Sequence, residues 1–140
     1  MLYEIAPKQG IEQVGFGADA DSVRRAFGGE VESCVKNPSS VFPCDHFAHA
    51  GVFAYYRLPG VLEALEFSEP ARPRFQGREL LGLPAGEVKR FLEAFDPHLE
   101  VDSAGFISHK LGIGVYADGW DKDASTIVES VIVFQEGYYA

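Results

Sequence analysis

The segment CDHFAH holds the densest group of potential metal ligands in the sequence. It places Cys44, Asp45, His46 and His49 within six residues, and zinc prefers thiolate and imidazole ligands. The segment leads directly into a predicted strand, where His46 and His49 would point to opposite faces. No second cysteine–histidine cluster accompanies it. We therefore expect no metal and no cofactor, and we keep a metal or thiol enzyme based on Cys44, His46 and His49 as an alternative.

The glycine-rich segments lack the residues that nucleophilic or nucleotide-dependent enzymes need. GLPAG has no serine that could serve as a nucleophile. QVGFGADADS carries acids and lacks the lysine of a phosphate-binding loop. Gly112 and Gly114 occupy alternate positions of a predicted strand, which favours close backbone packing. The sequence thus predicts no catalytic residue, and we expect a protein that is not an enzyme.

The loop DGWDKD combines an aromatic side chain with acids. Asp118, Asp121 and Asp123 surround Trp120, but their spacing differs from that of a calcium-binding loop. An exposed tryptophan flanked by carboxylates would suit the anchor of a protein interface. A hairpin loop in which Trp120 is tucked into the fold is an equally good interpretation.

Two glutamates occupy matching places in predicted strands. Glu63 lies in VLEALEF and Glu129 in IVESVIVF, and each interrupts an otherwise apolar alternate set. Such a pair could serve acid–base chemistry or bind basic groups of a ligand. We favour a third interpretation, in which both lie near strand ends and reach solvent.

Two amphipathic segments predict the helices. Gly17 and Gly82, like Val23 and Val88, stand 65 residues apart. Asp19 is a good N-cap and Pro84 suits a helix start, so we predict helices over 20–27 and 85–95, each followed by antiparallel strands. The expected fold is a single α+β domain, a tandem repeat of residues 1–70 and 71–140 with two helices packed on an antiparallel sheet.

The net charge and the absence of targeting patterns indicate the class of partner and the cellular compartment. The chain carries 21 acids against 12 bases, a net charge of −9, which disfavours nucleic acid and favours a basic protein partner. The start MLYEIAPKQG does not match a secretory signal, and no apolar run approaches the ~20 residues of a membrane helix. We expect a cytoplasmic protein that does not bind membranes, in which Cys34 and Cys44 are free thiols.

Within residues 75–139, DSAGFISHKLGIGVYADGWD and VESVIVFQEGYY resemble small bacterial immunity and toxin-neighbour proteins of the contact-dependent growth-inhibition type. The resemblance implies a cytoplasmic protein that neutralises a cognate toxin, often a nuclease with a basic active site that an acidic partner can block. A small-molecule-binding domain is the alternative. The residues expected to bind the partner are acids and aromatics of the second half: Asp118, Trp120, Asp121, Asp123, Glu129, Tyr138 and Tyr139.

Overall fold

The computed structural model describes residues 1–34 and 44–139, of which 42% lie in strands and 13% in helices. The helices are α1 (Ala20–Phe27) and α2 (Ala85–Glu93). The strands, in chain order, are β1 (Leu2–Ala6), β2 (Gly10–Ile11), β3 (Val14–Gly15), β4 (Glu32–Cys34), β5 (Cys44–Phe47), β6 (Val52–Arg57), β7 (Val61–Phe67), β8 (Arg72–Phe75), β9 (Arg78–Glu79), β10 (Glu100–Asp102), β11 (Gly105–Ser108), β12 (Ile113–Tyr116) and β13 (Ser130–Phe134).

The strands form two sheets. The larger sheet is antiparallel and has eight strands in the order β10-β11-β12-β13-β7-β6-β5-β4. The smaller sheet has five strands in the order β3-β2-β1-β8-β9, and in it β1 and β8 run parallel. Both sheets therefore contain strands from both halves of the chain, which meet at the β7–β13 and β1–β8 pairs.

The core lies between the larger sheet and a layer made by the helices and the smaller sheet. Leu65 and Phe67 on β7 are fully buried, and the ring of Phe67 lies 5.5 Å from that of Tyr3 on β1. Val23 of α1 and Val88 of α2 are also fully buried. Because side chains alternate along a strand, the residues between these core positions point to the opposite, open face of the larger sheet.

Both helix predictions are confirmed. Asp19 accepts a hydrogen bond from the backbone N–H of Ser22 at 2.9 Å, and Gly28, with φ of 65°, ends α1. The second helix starts after Pro84 as expected but ends at Glu93, two residues before the predicted end.

The predicted fold class is wrong. The protein is mostly β, with two helices and two sheets, and is not a tandem repeat of a helix plus antiparallel strands. β1, near the start of the chain, pairs with β8 about half the chain away, and β8 pairs with β9. This long-range pairing builds the second sheet, which the predicted repeat did not include.

The two cysteines form a disulfide, so the expectation of free thiols is also wrong. Cys34 lies directly opposite Cys44 in the β4–β5 pair, with their Cα atoms 4.9 Å apart. Their separation is visible in the sequence, but the strand register that brings them together is not. Residues 35–43, which connect the two cysteines after β4, lie outside the described residues.

Two buried carboxylates tie the layers together. Asp45 on β5, 1% exposed, accepts bonds from the Arg24 guanidinium of α1 and the Tyr56 hydroxyl. Asp96, 3% exposed, follows α2 and accepts bonds from the Ser108 hydroxyl of β11 and the His98 backbone N–H. Burial opposes the ionisation of Asp96, but these hydrogen bonds outweigh it and lower the pKa of Asp96 below its ordinary value.

In the part of the chain that the structure describes, no helix is long and apolar enough to cross a membrane.

Candidate functional site

The CDHFAH segment does not assemble a site. The Cys44 sulfur is bonded to Cys34, and Asp45 points into the core toward Arg24. The His46 ring stacks on Phe53 at 4.0 Å on the open face, whereas His49 Nε2 lies 3.2 Å from the Phe27 carbonyl oxygen. Within residues 1–34 and 44–139, no three His, Cys, Asp or Glu side chains are grouped so that they could hold a metal ion.

Trp120 is tucked into the fold. It is partly buried, its ring meets Phe106 edge-on at 5.3 Å, and its Nε1 donates a hydrogen bond to the Asp102 carbonyl at 2.7 Å. Trp120 therefore holds the DGWDKD loop beside β10, which differs from the exposed interface anchor considered from the sequence.

The acids of the same loop are exposed. Asp118, Asp121 and Asp123 all face solvent between β12 and β13. Asp123 accepts hydrogen bonds from the Ser125 hydroxyl at 2.6 Å and the Ser125 backbone N–H at 3.0 Å, and these lower the pKa of Asp123.

The paired glutamates of the sequence do not share a site. Tyr55 pairs with Ala64 and Tyr56 with Leu62, so Glu63 falls in a bulge between them. The bulge breaks the alternation on which the Glu63 prediction rested. Glu129 lies just before β13, is exposed and lines a cavity on the open face.

This cavity, here called the groove, is a concave feature of the open face. Its volume is about 850 Å³. Five of its lining residues form one continuous row across the sheet, in which each residue is the register partner of the next on five neighbouring strands: Glu66, Ile132, Gly114, Ile107 and Glu100. The floor is thus apolar in the middle and acidic at both ends.

One end of the groove is built around Glu66. The Tyr55 hydroxyl donates to Glu66 Oε1 at 2.5 Å. Burial is the main cause that raises the pKa of Tyr55 well above its ordinary value, and this hydrogen bond raises it further. Tyr138 and Tyr139, whose rings meet edge-on at 4.9 Å, complete the wall. Burial and the nearby charge of Glu66 also raise the pKa of Tyr139. The hydroxyls of Tyr55 and Tyr139 therefore stay neutral at physiological pH.

The other end of the groove is more exposed. Glu100, Asp102 and Glu129 line it together with Tyr116, which is 44% exposed. The Asp102 carboxylate accepts bonds from the backbone N–H groups that follow it, at 2.8 and 3.0 Å, and so shapes the β10–β11 turn. Glu100 Oε2 lies 2.5 Å from Nε2 of His109, just outside the lining.

The chemistry of the groove suits a cation. Its lining contains four carboxylates and four tyrosines, and none of its lining residues is Lys, Arg or His. Carboxylates form charge-assisted hydrogen bonds with guanidinium and ammonium groups, and tyrosine faces attract the same cations. Three of the seven residues predicted from the sequence, Glu129, Tyr138 and Tyr139, line the groove.

Sequence reasoning missed most of the other polar lining residues. These residues come from four different strands: Tyr55, Glu66, Glu100, Asp102 and Tyr116. The one local signal is the position of Glu66 between Leu65 and Phe67, which are both core residues. Alternation alone would have placed Glu66 on the face opposite those two residues.

Comparison with protein-family models, with curated proteins and with solved structures finds no match to this chain.

Proposed function

We propose that the protein is a binding protein of the immunity type, which neutralises a basic toxin by receiving part of its surface in the groove. The observation that carries the proposal is the lining itself, four carboxylates and four tyrosines without a basic side chain. The resemblance of residues 75–139 to immunity proteins supports a toxin as the class of partner.

The net charge of the whole chain also favours a basic partner. A net charge of −9 attracts a basic partner over a distance of about one Debye length, ~8 Å at physiological ionic strength. The exposed acids Asp118, Asp121 and Asp123 extend this negative surface, since Trp120 fixes their loop beside Asp102 in the groove wall. Such complementarity chiefly accelerates association and selects basic partners.

The test is binding and protection against the toxin encoded next to this protein's gene. We expect the protein to bind the purified toxin and to rescue cells that express it. Reversing Glu100 and Glu129 to lysine should weaken binding by about tenfold or more, mainly through slower association.

The control for that experiment reverses Glu12 and Glu69 to lysine. Both are exposed, and neither lines the groove, so this variant has the same net charge as the groove variant. Equal weakening by the two variants would contradict the role of the groove. A toxin that the wild-type protein neither binds nor neutralises would contradict the immunity function.

A small-molecule receptor is the second candidate. The groove volume of about 850 Å³ falls within the usual range of ligand pockets, ~300–1,000 Å³. A small organic cation such as choline, spermidine or arginine amide would then stabilise the protein, by about 2.7 kcal/mol at a concentration of 100 Kd. Thermal unfolding with each compound measures this, and unchanged unfolding in all three would reject this candidate for those ligands.

A further inference from the structure

We infer that the groove binds an extended segment of the partner that crosses from β7 to β10, with one arginine at Glu66 and a second basic residue at Glu100. This inference rests on the proposed function and specifies the chemistry of the partner. It rests on the cross-strand row, on the contacts of Glu66 and on the apolar floor around Gly114.

The row fixes the distance between the two acidic ends. Glu66 and Glu100 are four strand spacings apart along consecutive register pairs. At about 4.8 Å per spacing, the path along the sheet is about 19 Å. An extended chain advances about 3.3 Å per residue, and its side chains alternate between two faces. Two basic side chains about six residues apart would therefore lie on the same face of the segment and reach both carboxylates.

Glu66 is a partly buried carboxylate near the middle of the sheet. Its Oε1 accepts the Tyr55 hydroxyl, and among the described residues no Lys, Arg or His forms an ion pair with Glu66. A carboxylate removed from water in this way is stabilised by an incoming cation. The neighbouring tyrosine rings favour arginine over lysine, because a planar guanidinium can stack on a ring while donating to the carboxylate.

The floor between the acidic ends is apolar and has no side chain of its own at the centre. Gly114 lies at the centre of the row, and a Cβ added there would stand 2.8 Å from Ile132 Cγ2 and 3.6 Å from Ile107 Cγ1. The absence of a side chain lets the two isoleucines approach each other over the glycine and keeps the floor low. Their apolar surfaces can pack against the small residues of a segment that joins the two bases.

The probe is an acetylated and amidated heptapeptide with arginine at both ends and five small neutral residues between them, so that both arginines lie on the same face of the extended chain. We expect amide NMR shifts centred on Ile107, Gly114 and Ile132. Replacing both arginines by citrulline, which has a similar shape without the charge, should weaken binding by about tenfold or more. A tripeptide with one residue between its arginines cannot span the row and should bind about as weakly as arginine amide.

Three protein variants complete the experiment. Glu66→Gln and Glu100→Gln should each weaken heptapeptide binding by about tenfold, whereas Glu12→Gln, with the same charge change outside the groove, should stay within about twofold of wild type. The amide spectra of the free variants show whether each is folded. Shifts outside the groove, equal affinity for heptapeptide and tripeptide, or equal effects of Glu66→Gln and Glu12→Gln would each overturn the inference.

The outcome separates this inference from the proposed function. If the protein neutralises the toxin but the heptapeptide does not bind across the row, the inference fails and the binding function stands. If the heptapeptide binds across the row but the protein neither binds nor neutralises the toxin, the immunity function fails.

Discussion

Removing Arg24 should destabilise the protein far more than removing its neighbour Arg25. The Nε and Nη2 atoms of Arg24 donate to both oxygens of Asp45 at 2.9 and 3.0 Å, and this bidentate pair attaches α1 to β5. The side chain of Asp45 is 2% exposed and that of Arg24 is 46% exposed. In Arg24→Ala the carboxylate would stay buried with the Tyr56 hydroxyl as its remaining hydrogen-bond donor.

The size of the stability loss depends on the buried carboxylate of Asp45, which Arg24→Ala leaves without its ion-pair partner. Breaking a fully buried ion pair by removing one partner costs ~3–5 kcal/mol. Because solvent reaches about half of Arg24, we expect the lower end, a loss of about 3 kcal/mol in the free energy of unfolding. Asp45→Asn should cost less, about 1.5 kcal/mol, since Arg24 can turn toward water and the amide oxygen can still accept a hydrogen bond.

Arg25→Ala is the matched control. Arg25 lies in the same last turn of α1 and donates to the Ser22 hydroxyl at 3.1 Å on the exposed surface. The two substitutions therefore change helix propensity and net charge equally, and Arg25→Ala should cost less than about 0.5 kcal/mol. Urea unfolding with an unchanged m value gives the comparison. Stabilities of the two alanine variants within 1 kcal/mol of each other would refute the reasoning about the buried carboxylate.

Three further predictions concern stability. Reducing the Cys34–Cys44 bridge should cost about 3 kcal/mol, the loop-entropy value for a separation of ten residues; urea unfolding with and without reductant measures this, and equal midpoints would contradict it. Trp120→Ala should cost about 3 kcal/mol, because an indole packed on Phe106 and hydrogen-bonded to Asp102 is lost; a loss below 1 kcal/mol would show that Trp120 behaves as a surface residue. Because the pKa of Asp96 is lower in the folded state, the unfolded state binds the proton at a higher pH than the folded state does. The contribution of Asp96 to the free energy of unfolding should therefore be fully present above about pH 4 and decrease as the pH falls further. Asp96→Asn should flatten this dependence in unfolding curves from pH 2 to 6, and an unchanged slope would contradict the assignment.

The sequence predicted features that depend on neighbouring residues and missed those that depend on distant pairing. The caps of α1 are local, since Asp19 binds Ser22 and Gly28 turns the chain, and both helices were found. The smaller sheet depends on β1 meeting β8, with Glu4 opposite Arg74, and no local pattern encodes that contact.

Some groove residues were predicted from the sequence and others were not. Glu129, Tyr138 and Tyr139 were selected because acids and aromatics accumulate late in the chain. Glu66 was missed although its position between the core residues Leu65 and Phe67 places it on the open face. The prediction followed Glu63 instead, and the bulge removes Glu63 from the alternation on which that choice depended.

The position of β13 has a consequence for how the chain reaches its native state. β13 is the last strand in the described part of the chain, yet it lies between β12 and β7 near the middle of the larger sheet. During synthesis the edge of β7 therefore has no native strand partner until residues 130–134 emerge. An unpaired strand edge that carries Leu65 and Phe67 invites association with other nascent chains. We expect fragments that stop before Ser130 to aggregate, and the yield of soluble protein to depend on chaperones that shield β7 until β13 inserts.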